Sequence, residues 1–367
     1  MQILFLVGRE LDYPRNDVLL RAFNRFAEVD IVGFRKRPKS LLFTNLVLAA
    51  RAIPKLVFRG YDLVFVGFYG HLLMLPVGLL SRQPILFDAY LSTYDTLVLD
   101  RKTTHPSSLL GKTAAWLDRN ACRLSSHILL DTRTHIQYFE RTFSVPSNKF
   151  TSIPVGCNES LFTLQPPVNL NQSPRVLYYS SYLPLHGVET IVHAARLLKG
   201  ESLQFRLIGM GRTFSNVREL SEEMKLTKVE FIQPIPITEL PGEIREASIC
   251  LGGHFGLTEK GERVIPTKVY QILASNRPLV AGDTPAVREL LTNGVDCILC
   301  APGNAQELAD AILRLARDVE FARNLAQRGR LTFERECSEA IITQTLHELI
   351  LNMINSGKYI DHRPHRS

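Results

Sequence analysis

Residues 264–291 read VIPTKVYQILASNRPLVAGDTPAVRELL, and this stretch decides the fold. Pro266 suits the first turn of a helix, where its missing N–H would have no partner in any case. The apolar positions that follow recur at helical spacing: Val269, Ile272 and Leu273. A turn at 276–278 ends this helix, and the short apolar run 279–281 predicts a buried strand. The stretch therefore predicts a helix, a strand and a second helix of a parallel sheet covered by helices.

The start of this helix also predicts a binding site. The backbone N–H groups of Thr267 and Lys268 have no partner inside a helix that begins there. They would face the edge of a parallel sheet, where phosphate groups bind readily. Arg263 precedes the helix, and Lys268 lies in its first turn, so two cations accompany these donors. We expect a phosphate-binding helix start.

Strands and helices alternate from one end of the chain to the other, which is typical of an α/β fold with parallel sheets. The alternation stops at a polar, proline-rich stretch and then restarts. We therefore expect two doubly wound, Rossmann-like domains that face each other across a cleft. Their expected bounds are 1–165 for an acceptor-side domain, 166–174 for a linker and 175–340 for a donor domain. Residues 341–367 would form a helix that returns to the first domain and a frayed tail.

Composition narrows the class of protein. The 367 residues are 45% hydrophobic and 22% charged, as in soluble enzymes, and no run approaches the roughly 20 apolar residues of a membrane-spanning helix. The first strand shows no cationic leader, so a cytoplasmic protein is expected. Only one glycine follows that strand, which disfavours a dinucleotide-binding turn. The six cysteines lack a zinc-site pattern, and no metal is expected.

The net charge of +7 is unevenly distributed. Residues 31–61 contain no acidic side chain and seven basic ones: Arg35, Lys36, Arg37, Lys39, Arg51, Lys55 and Arg59. Apolar side chains alternate with them, a pattern that suits the surface of an anionic membrane. An ordinary surface helix whose apolar side belongs to the core is the alternative. Nucleic acid is not an expected partner, because no recognition motif accompanies the charge.

Four stretches resemble, in order, segments of family 4 glycosyltransferases. They are 126–162 (the end of the first domain), 176–198 (the first strand, loop and helix of the second), 205–212 (FRLIGMGR, a glycine turn) and 264–291 (the donor-binding helix). The resemblance covers nearly the full length and implies the GT-B architecture. It also implies transfer of a sugar from a nucleotide-diphosphate donor to a glycan or lipid-linked acceptor. Retention of the anomeric configuration, without a bound metal or cofactor, is part of that implication.

The chain departs from the family pattern at the diphosphate. Two positions that usually carry arginine and lysine are Ser181 and His186, the latter just before Gly187. The family's glutamate pair falls on Arg263 and Gln271. Gln271 can still hydrogen-bond ribose hydroxyls, as donor and as acceptor. Nearby cations would restore the lost positive charge: Lys260, Arg263 and Lys268.

The implied chemistry needs groups that stabilise a departing diphosphate, and preorganised N–H donors and cations supply that stabilisation. The helix start at Thr267 and Lys268 is the first candidate, and His186 would donate to the β-phosphate. Glu289 fits either a donor contact or a helix-capping role.

The acceptor-side candidates of the first domain lie at its strand ends. Gly8 and Arg9 follow the first strand, His71 ends the motif GFYGH, and Asp88 ends a buried strand. His71 and Asp88 are candidate catalytic residues; a loop histidine and a turn or N-cap aspartate are the alternatives. The polar run after Asp88 would touch the acceptor: Asp95, Asp100, Arg101 and Lys102.

Two other classes stay open at this point. A GT-B sugar-nucleotide epimerase would need acidic and basic residues around one sugar carbon. A catalytically silent sugar-binding or scaffold protein would keep the fold and lose the chemistry. If the chain is a transferase with a lipid-linked acceptor, the basic segment 31–61 would hold it on the inner face of the cytoplasmic membrane.

Overall fold

The computed structural model describes residues 1–35, 40–100, 103–168 and 173–358. The chain divides into two compact units, Met1–Gly156 with Glu339–Ser367, and Cys157–Ser338. Residues 169–172 of the expected linker and 359–367 of the expected tail lie outside the described residues. The first unit is therefore built from two separate parts of the chain.

The first unit contains a sheet of six parallel strands. They are β1 (Gln2–Glu10), β2 (Glu28–Phe34), β3 (Leu63–Val66), β4 (Ile85–Asp88), β5 (His127–Leu130) and β6 (Phe150–Ser152), in the order β2-β1-β3-β4-β5-β6. The central strands are short, continuous apolar runs, because helices cover both faces of the sheet. The strand β6 carries no such run, and sequence inspection missed it.

Five helices of this unit connect the strands. They are α1 (Pro14–Asn24), α2 (Leu41–Phe58), α3 (His71–Leu80), α4 (Leu109–Leu124) and α5 (Arg133–Phe143), with a short π-helical segment at Asp95–Asp100. Side-chain hydroxyls cap three of them, since Ser40, Ser108 and Thr132 each accept a hydrogen bond from the first turn. Each helix connects one strand to the next, so that all six strands of the sheet run in the same direction.

The second unit contains a second sheet of six parallel strands. They are β7 (Arg175–Ser180), β8 (Gln204–Gly209), β9 (Val229–Ile232), β10 (Ile249–Gly253), β11 (Leu279–Gly282) and β12 (Ile298–Cys300), in the order β12-β11-β10-β7-β8-β9. The order reverses between β10 and β7. In open α/β sheets, ligands bind at the carboxyl ends of the strands at such a point.

The remaining helices complete the second unit and return to the first. They are α6 (Val188–Leu197), α7 (Phe214–Glu223), α8 (Leu240–Glu246), α9 (Glu259–Arg263), α10 (Thr267–Ala274), α11 (Pro285–Arg288), α12 (Ala305–Arg317), α13 (Val319–Glu336) and α14 (Glu339–Lys358). Helix α14 belongs to the first unit, where Ile342 and Leu346 share a core with Leu19 and Phe23 of α1.

The predicted α/β class with two parallel doubly wound sheets is confirmed. The helix and strand of 264–291 are α10 and β11, close to the predicted bounds. Within the described residues, no helix is both long and apolar enough to span a bilayer. All six cysteines are buried free thiols.

Candidate functional site

The strand-order reversal of the second sheet gathers several of the predicted donor-side residues. Strand β7 ends at Ser180 and β10 at Gly253. The loop after β7 leads through a 3-10 turn at Pro184–His186 to α6, and the loop after β10 leads to α9 and α10. Side chains from both loops meet there.

Gly187 joins these two loops. Its φ of 61° is in the left-handed region, and a Cβ there would lie 2.2 Å from the backbone nitrogen of Gly256. The backbone N–H of Gly256 donates to the carbonyl of Leu185 (3.1 Å), and the hydroxyl of Tyr178 donates to the carbonyl of His186 (3.3 Å). A side chain at position 187 would separate the loops, so the glycine fixes the position of His186.

His186 is held as a neutral hydrogen-bond donor. Burial, with the nearby charge of Lys268 and the ring of His254, lowers the pKa of His186 well below its usual range. The backbone N–H of Leu183 donates to Nδ1 (3.1 Å), so Nδ1 carries a lone pair and the proton of the neutral ring sits on Nε2. The Nε2–H group is therefore the donor that His186 offers to a ligand.

His254 is a residue of this cluster that sequence inspection missed. Its ring lies 5.6 Å from the ring of His186, centroid to centroid, and its buried Nδ1 has no hydrogen-bond partner among the described residues. Burial, together with the charges of Lys268 and Lys260, lowers the pKa of His254 to about 3. The only sequence signal was a polar residue directly after a buried strand.

Lys268 places a cation at this strand-order reversal. It is the second residue of α10, and its ammonium lies 3.5 Å from the hydroxyl of Tyr178 and 4.7 Å from the centre of that ring. None of the carboxylates that the structure describes forms an ion pair with it. Burial lowers the pKa of Lys268 to about 7. An anion bound here would supply the missing counter-charge.

Lys260, Arg263 and Thr267 lie on the two helices α9 and α10 that follow β10. Lys260 is buried on α9, close enough to His254 to lower its pKa. Arg263 ends α9, with Nη1 3.5 Å from Oε2 of Glu259, so part of its charge is used within the helix. Thr267 is half-buried at the first position of α10.

Gln271 lies one turn further along α10 and is buried. The hydroxyl of Tyr179 donates to its Oε1 (2.9 Å), which orients the amide and leaves its NH₂ group as a donor. Ser181 is exposed beside the glycine turn after β8, and Glu289 is exposed just after α11.

In the first unit, Gly8 and Arg9 lie where β1 meets the end of β3. A Cβ on Gly8 would be 2.3 Å from the carbonyl oxygen of Tyr69. The guanidinium of Arg9 pairs with Glu10 (2.7 Å) and lies between 5.2 and 5.6 Å from the ring centres of Tyr13, Phe68 and Tyr69. The hydrogen bond to Glu10 raises the pKa of Arg9.

His71 begins α3 and is buried, with Nε2 3.6 Å from Oδ1 of Asp118. Burial lowers the pKa of His71, although the Asp118 and Asp88 carboxylates oppose the change. Asp118 is already occupied, because it accepts hydrogen bonds from the Ser92 hydroxyl and from the backbone of Thr93 and Tyr94. The Nε2 of His71 has no hydrogen-bond partner among the described residues, whereas Asp118 already accepts three hydrogen bonds.

Asp88 is fully buried in an ion pair with Arg15 of α1 (2.9 Å). The same guanidinium donates to the carbonyls of Ile153 (2.7 Å) and Pro154 (2.9 Å). Burial raises the pKa of Asp88, although the guanidinium opposes the rise. The turn and N-cap alternatives considered for this residue are replaced by a buried ion pair.

The polar run after Asp88 is only partly accessible. Asp95 is buried at the start of the π-helical segment, and Asp100 is half-buried at its end. Arg101 and Lys102 lie outside the described residues. Across the described ranges of both units, no group of three or more His, Cys, Asp or Glu side chains is arranged to hold a metal ion.

The basic segment 31–61 forms the end of β2 and helix α2. Lys36, Arg37 and Lys39 lie outside the described residues. Asp30, one position before the segment, pairs with Lys55 (2.5 Å) and Arg59 (3.2 Å), so two of its cations are locally neutralised. One side of α2 joins the core, whereas several of its large apolar side chains are exposed: Phe43, Leu46, Val57 and Phe58.

Comparison with known proteins finds similarity to glycosyltransferases. Residues 173–318 match the family model described as Glycosyl transferases group 1. An alpha-D-kanosaminyltransferase of Streptomyces kanamyceticus is 25% identical over 272 residues, which cover 71% of this chain and 67% of that protein. The amylovoran biosynthesis glycosyltransferase AmsK of Erwinia amylovora is 24% identical over 208 residues, 56% of this chain and 51% of its own length.

A solved structure has the same fold. Anabaena Alr3699/HepE in complex with UDP-glucose aligns with a TM-score of 0.75 at 15% identity, over 96% of this chain and 100% of that one. The family match and the relatives support a glycosyltransferase, and the shared fold is GT-B. The fold that the sequence resemblance implied is confirmed.

Proposed function

We propose that this chain is a family 4 transferase that moves a sugar from a nucleoside-diphosphate donor to a glycan or lipid-linked acceptor. Transfer retains the anomeric configuration and uses no bound metal or cofactor. The observation that carries the proposal is the buried, unpaired Lys268 beside the Nε2–H donor of His186 at the strand-order reversal. Together they provide a cation and a neutral donor for a departing diphosphate.

The roles follow from position. The α10 start, at Thr267 and Lys268, holds the diphosphate with His186, and Gly187 keeps His186 in place. Arg263 and Lys260 add positive charge, and Gln271 bonds the ribose. Ser181 and Glu289 contact the donor at the rim. In the first unit, His71 acts at the acceptor hydroxyl, and Gly8 and Arg9 shape the acceptor side, while Asp88 is retained as a catalytic candidate.

A donor-hydrolysis assay tests the class of activity. Each of several nucleotide sugars is incubated with the protein alone, and the products are separated by chromatography. A transferase hydrolyses its donor slowly, an epimerase makes an isomer of it, and a silent protein leaves it intact. Thermal-shift measurements with UDP, GDP, ADP and TDP select the base beforehand. An isomer in place of free sugar and nucleoside diphosphate would move the chain to the epimerase class.

Donor binding is expected to take up about one proton per site above pH 7. The free Lys268 ammonium has a pKa of about 7, and a bound diphosphate raises it because the charged form gains a partner. Affinity therefore falls as the pH rises above 7, until the pKa of the complex is reached. Calorimetry of nucleoside-diphosphate binding at pH 8, in buffers of different ionisation enthalpy, measures the uptake. Equal heats in all buffers would contradict it, and Lys268→Met should abolish it.

Gln271→Leu is expected to reduce discrimination between a nucleoside diphosphate and its 2′,3′-dideoxy analogue. Each lost neutral hydrogen bond is worth about 0.5–1.5 kcal/mol. Tyr179→Phe is the matched control, because it removes the hydroxyl that orients the amide and keeps the amide itself. It should lose less discrimination than Gln271→Leu. Wild-type discrimination in the leucine variant would show that the ribose is bound elsewhere.

The surface of helix α2 in the first unit favours binding to a membrane. Exposed apolar side chains and basic residues share helix α2, where Phe43 is 68% and Phe58 84% exposed. We place the protein in the cytoplasm, bound peripherally to the inner face of the membrane. Basic residues near an anionic surface contribute about 1 kcal/mol each, and salt screens the attraction.

Co-sedimentation with liposomes is expected to increase with the anionic-lipid fraction and to decrease with salt. Phe43→Ser combined with Leu46→Ser should weaken it, since both side chains are exposed on α2. Leu197→Ser is the control, a leucine on α6 of the second unit that is also exposed, at 53%. Binding that ignores lipid charge and salt, or no binding, would make the segment an ordinary solvated surface and favour a soluble acceptor.

A further inference from the structure

The first unit contains a cavity of about 180 Å³ at the carboxyl ends of β3 and β4. Its wall is mostly apolar, and six side chains dominate it: Phe68, Tyr69, Leu72, Leu91, Leu97 and Leu117. They come from the loops after the two strands, from α3, from the π-helical segment and from α4. The site roles proposed above use one residue of this wall, His71, and leave the cavity itself unassigned.

The polar side chains of the wall are Asn45, His71, Ser92, Thr93 and Thr96. Ser92 donates its hydroxyl to Asp118 (2.6 Å), and the backbone of Thr93 donates to the same carboxylate (3.1 Å). The buried Nε2 of His71 has no hydrogen-bond partner among the described residues. A buried polar atom without a partner destabilises a fold unless a ligand or water pairs with it. This cavity therefore offers the Nε2 of His71 as a polar contact beside a mostly apolar wall.

The volume limits what can enter. An apolar cavity of about 150 Å³ is large enough to bind benzene. The cavity here, at about 180 Å³, thus fits one six-membered ring. A fully hydroxylated sugar ring would place several hydroxyls against the six apolar side chains, which is unfavourable. An apolar ring with a single hydroxyl nearby matches both the wall and His71.

We propose that this cavity binds an apolar, ring-sized group of the acceptor, next to a hydroxyl that hydrogen-bonds to His71. The inference rests on the proposed transferase function and adds to it the chemical class of the acceptor. The cavity would therefore favour acceptors that carry an apolar group beside the reacting sugar over purely hydrophilic glycans.

Phenol is the direct probe, because it combines a six-membered apolar ring with one hydroxyl. Saturation-transfer NMR on the full chain is expected to show saturable phenol binding. Leu72→Trp fills the cavity and should abolish the signal, and Leu91→Phe is a second, smaller filling change. Leu79→Trp is the matched control on the same helix, at a position that is 77% exposed, and it should bind phenol as the wild type does. Equal binding by the wild type and both filled variants would overturn the proposal.

Transfer assays give the second readout. Phenyl and methyl glycosides of the same sugar are compared as acceptors, and the phenyl glycoside should have a kcat/KM at least about tenfold higher. In Leu72→Trp the ratio should approach one, while nucleoside-diphosphate affinity stays unchanged. Absence of a phenyl preference in the wild type overturns the proposal. Phenol binding without transfer to any acceptor would contradict the proposed function and retain the cavity's ligand class.

Discussion

Replacing Lys268 by methionine is expected to weaken nucleoside-diphosphate binding by about 1–3 kcal/mol, the range for a charge-assisted hydrogen bond. Transfer should fall further, by about 10²–10³-fold, because the diphosphate gains negative charge as it departs and a preorganised donor acts most strongly at that moment. The buried ammonium lies beside Tyr178, and none of the carboxylates in the described part of the chain forms an ion pair with it. Calorimetry gives the first quantity, and steady-state kinetics the second.

The matched control is Lys228→Met, which removes an exposed lysine of the same unit. It should leave both quantities unchanged. Removing Lys268 also removes a buried charge, so the variant should unfold no more easily than the wild type. Wild-type diphosphate affinity in Lys268→Met would rule out this placement of the donor.

Asp88→Asn is expected to destabilise the first unit by about 3–5 kcal/mol, since it removes the ion-pair partner of the fully buried Arg15. The guanidinium cannot move to water, because the Ile153 and Pro154 carbonyls also hold it. Urea unfolding followed by hydrogen exchange in β4 and α1 would measure the loss in the unit where it occurs.

Asp17→Asn is the control for this experiment. Asp17 pairs with Arg21 on the surface of the same helix, and exposed pairs of this kind contribute about 0.3–0.5 kcal/mol. If Asp88→Asn unfolds like the wild type and yet abolishes transfer, Asp88 acts in the chemistry and the structural explanation is wrong. This pair of variants thereby separates a catalytic role of Asp88 from its role in the buried ion pair.

The fold was largely accessible from the sequence because its signals are local. Pro266, the apolar spacing of α10 and the turn before β11 lie within a few residues of one another, and each specifies a structure on its own. Continuous apolar runs predicted the buried strands for the same reason. Strand β6 lacks such a run and pairs only with β5, so no local pattern marked it.

The candidate site was less accessible, because its contacts join distant parts of the chain. His186 and His254 are 68 positions apart, and only the strand order brings their loops together. The Arg15 partner of Asp88 lies 73 positions away from it in sequence. Asp30 neutralises part of a segment that contains no acid of its own. The number of charges in a segment and the spacing of residues do not predict such contacts between distant positions.

The division of the first unit between two parts of the chain has a consequence for biosynthesis. Helix α14 leaves the ribosome only after the whole of Cys157–Ser338 has been made, yet it shares a core with α1 near the amino terminus. The side of α1 that packs on α14 therefore stays uncovered until α14 has been made, while the continuous second unit can already fold. During that interval the nascent chain presents an uncovered apolar helix face, which is the kind of surface that chaperones bind.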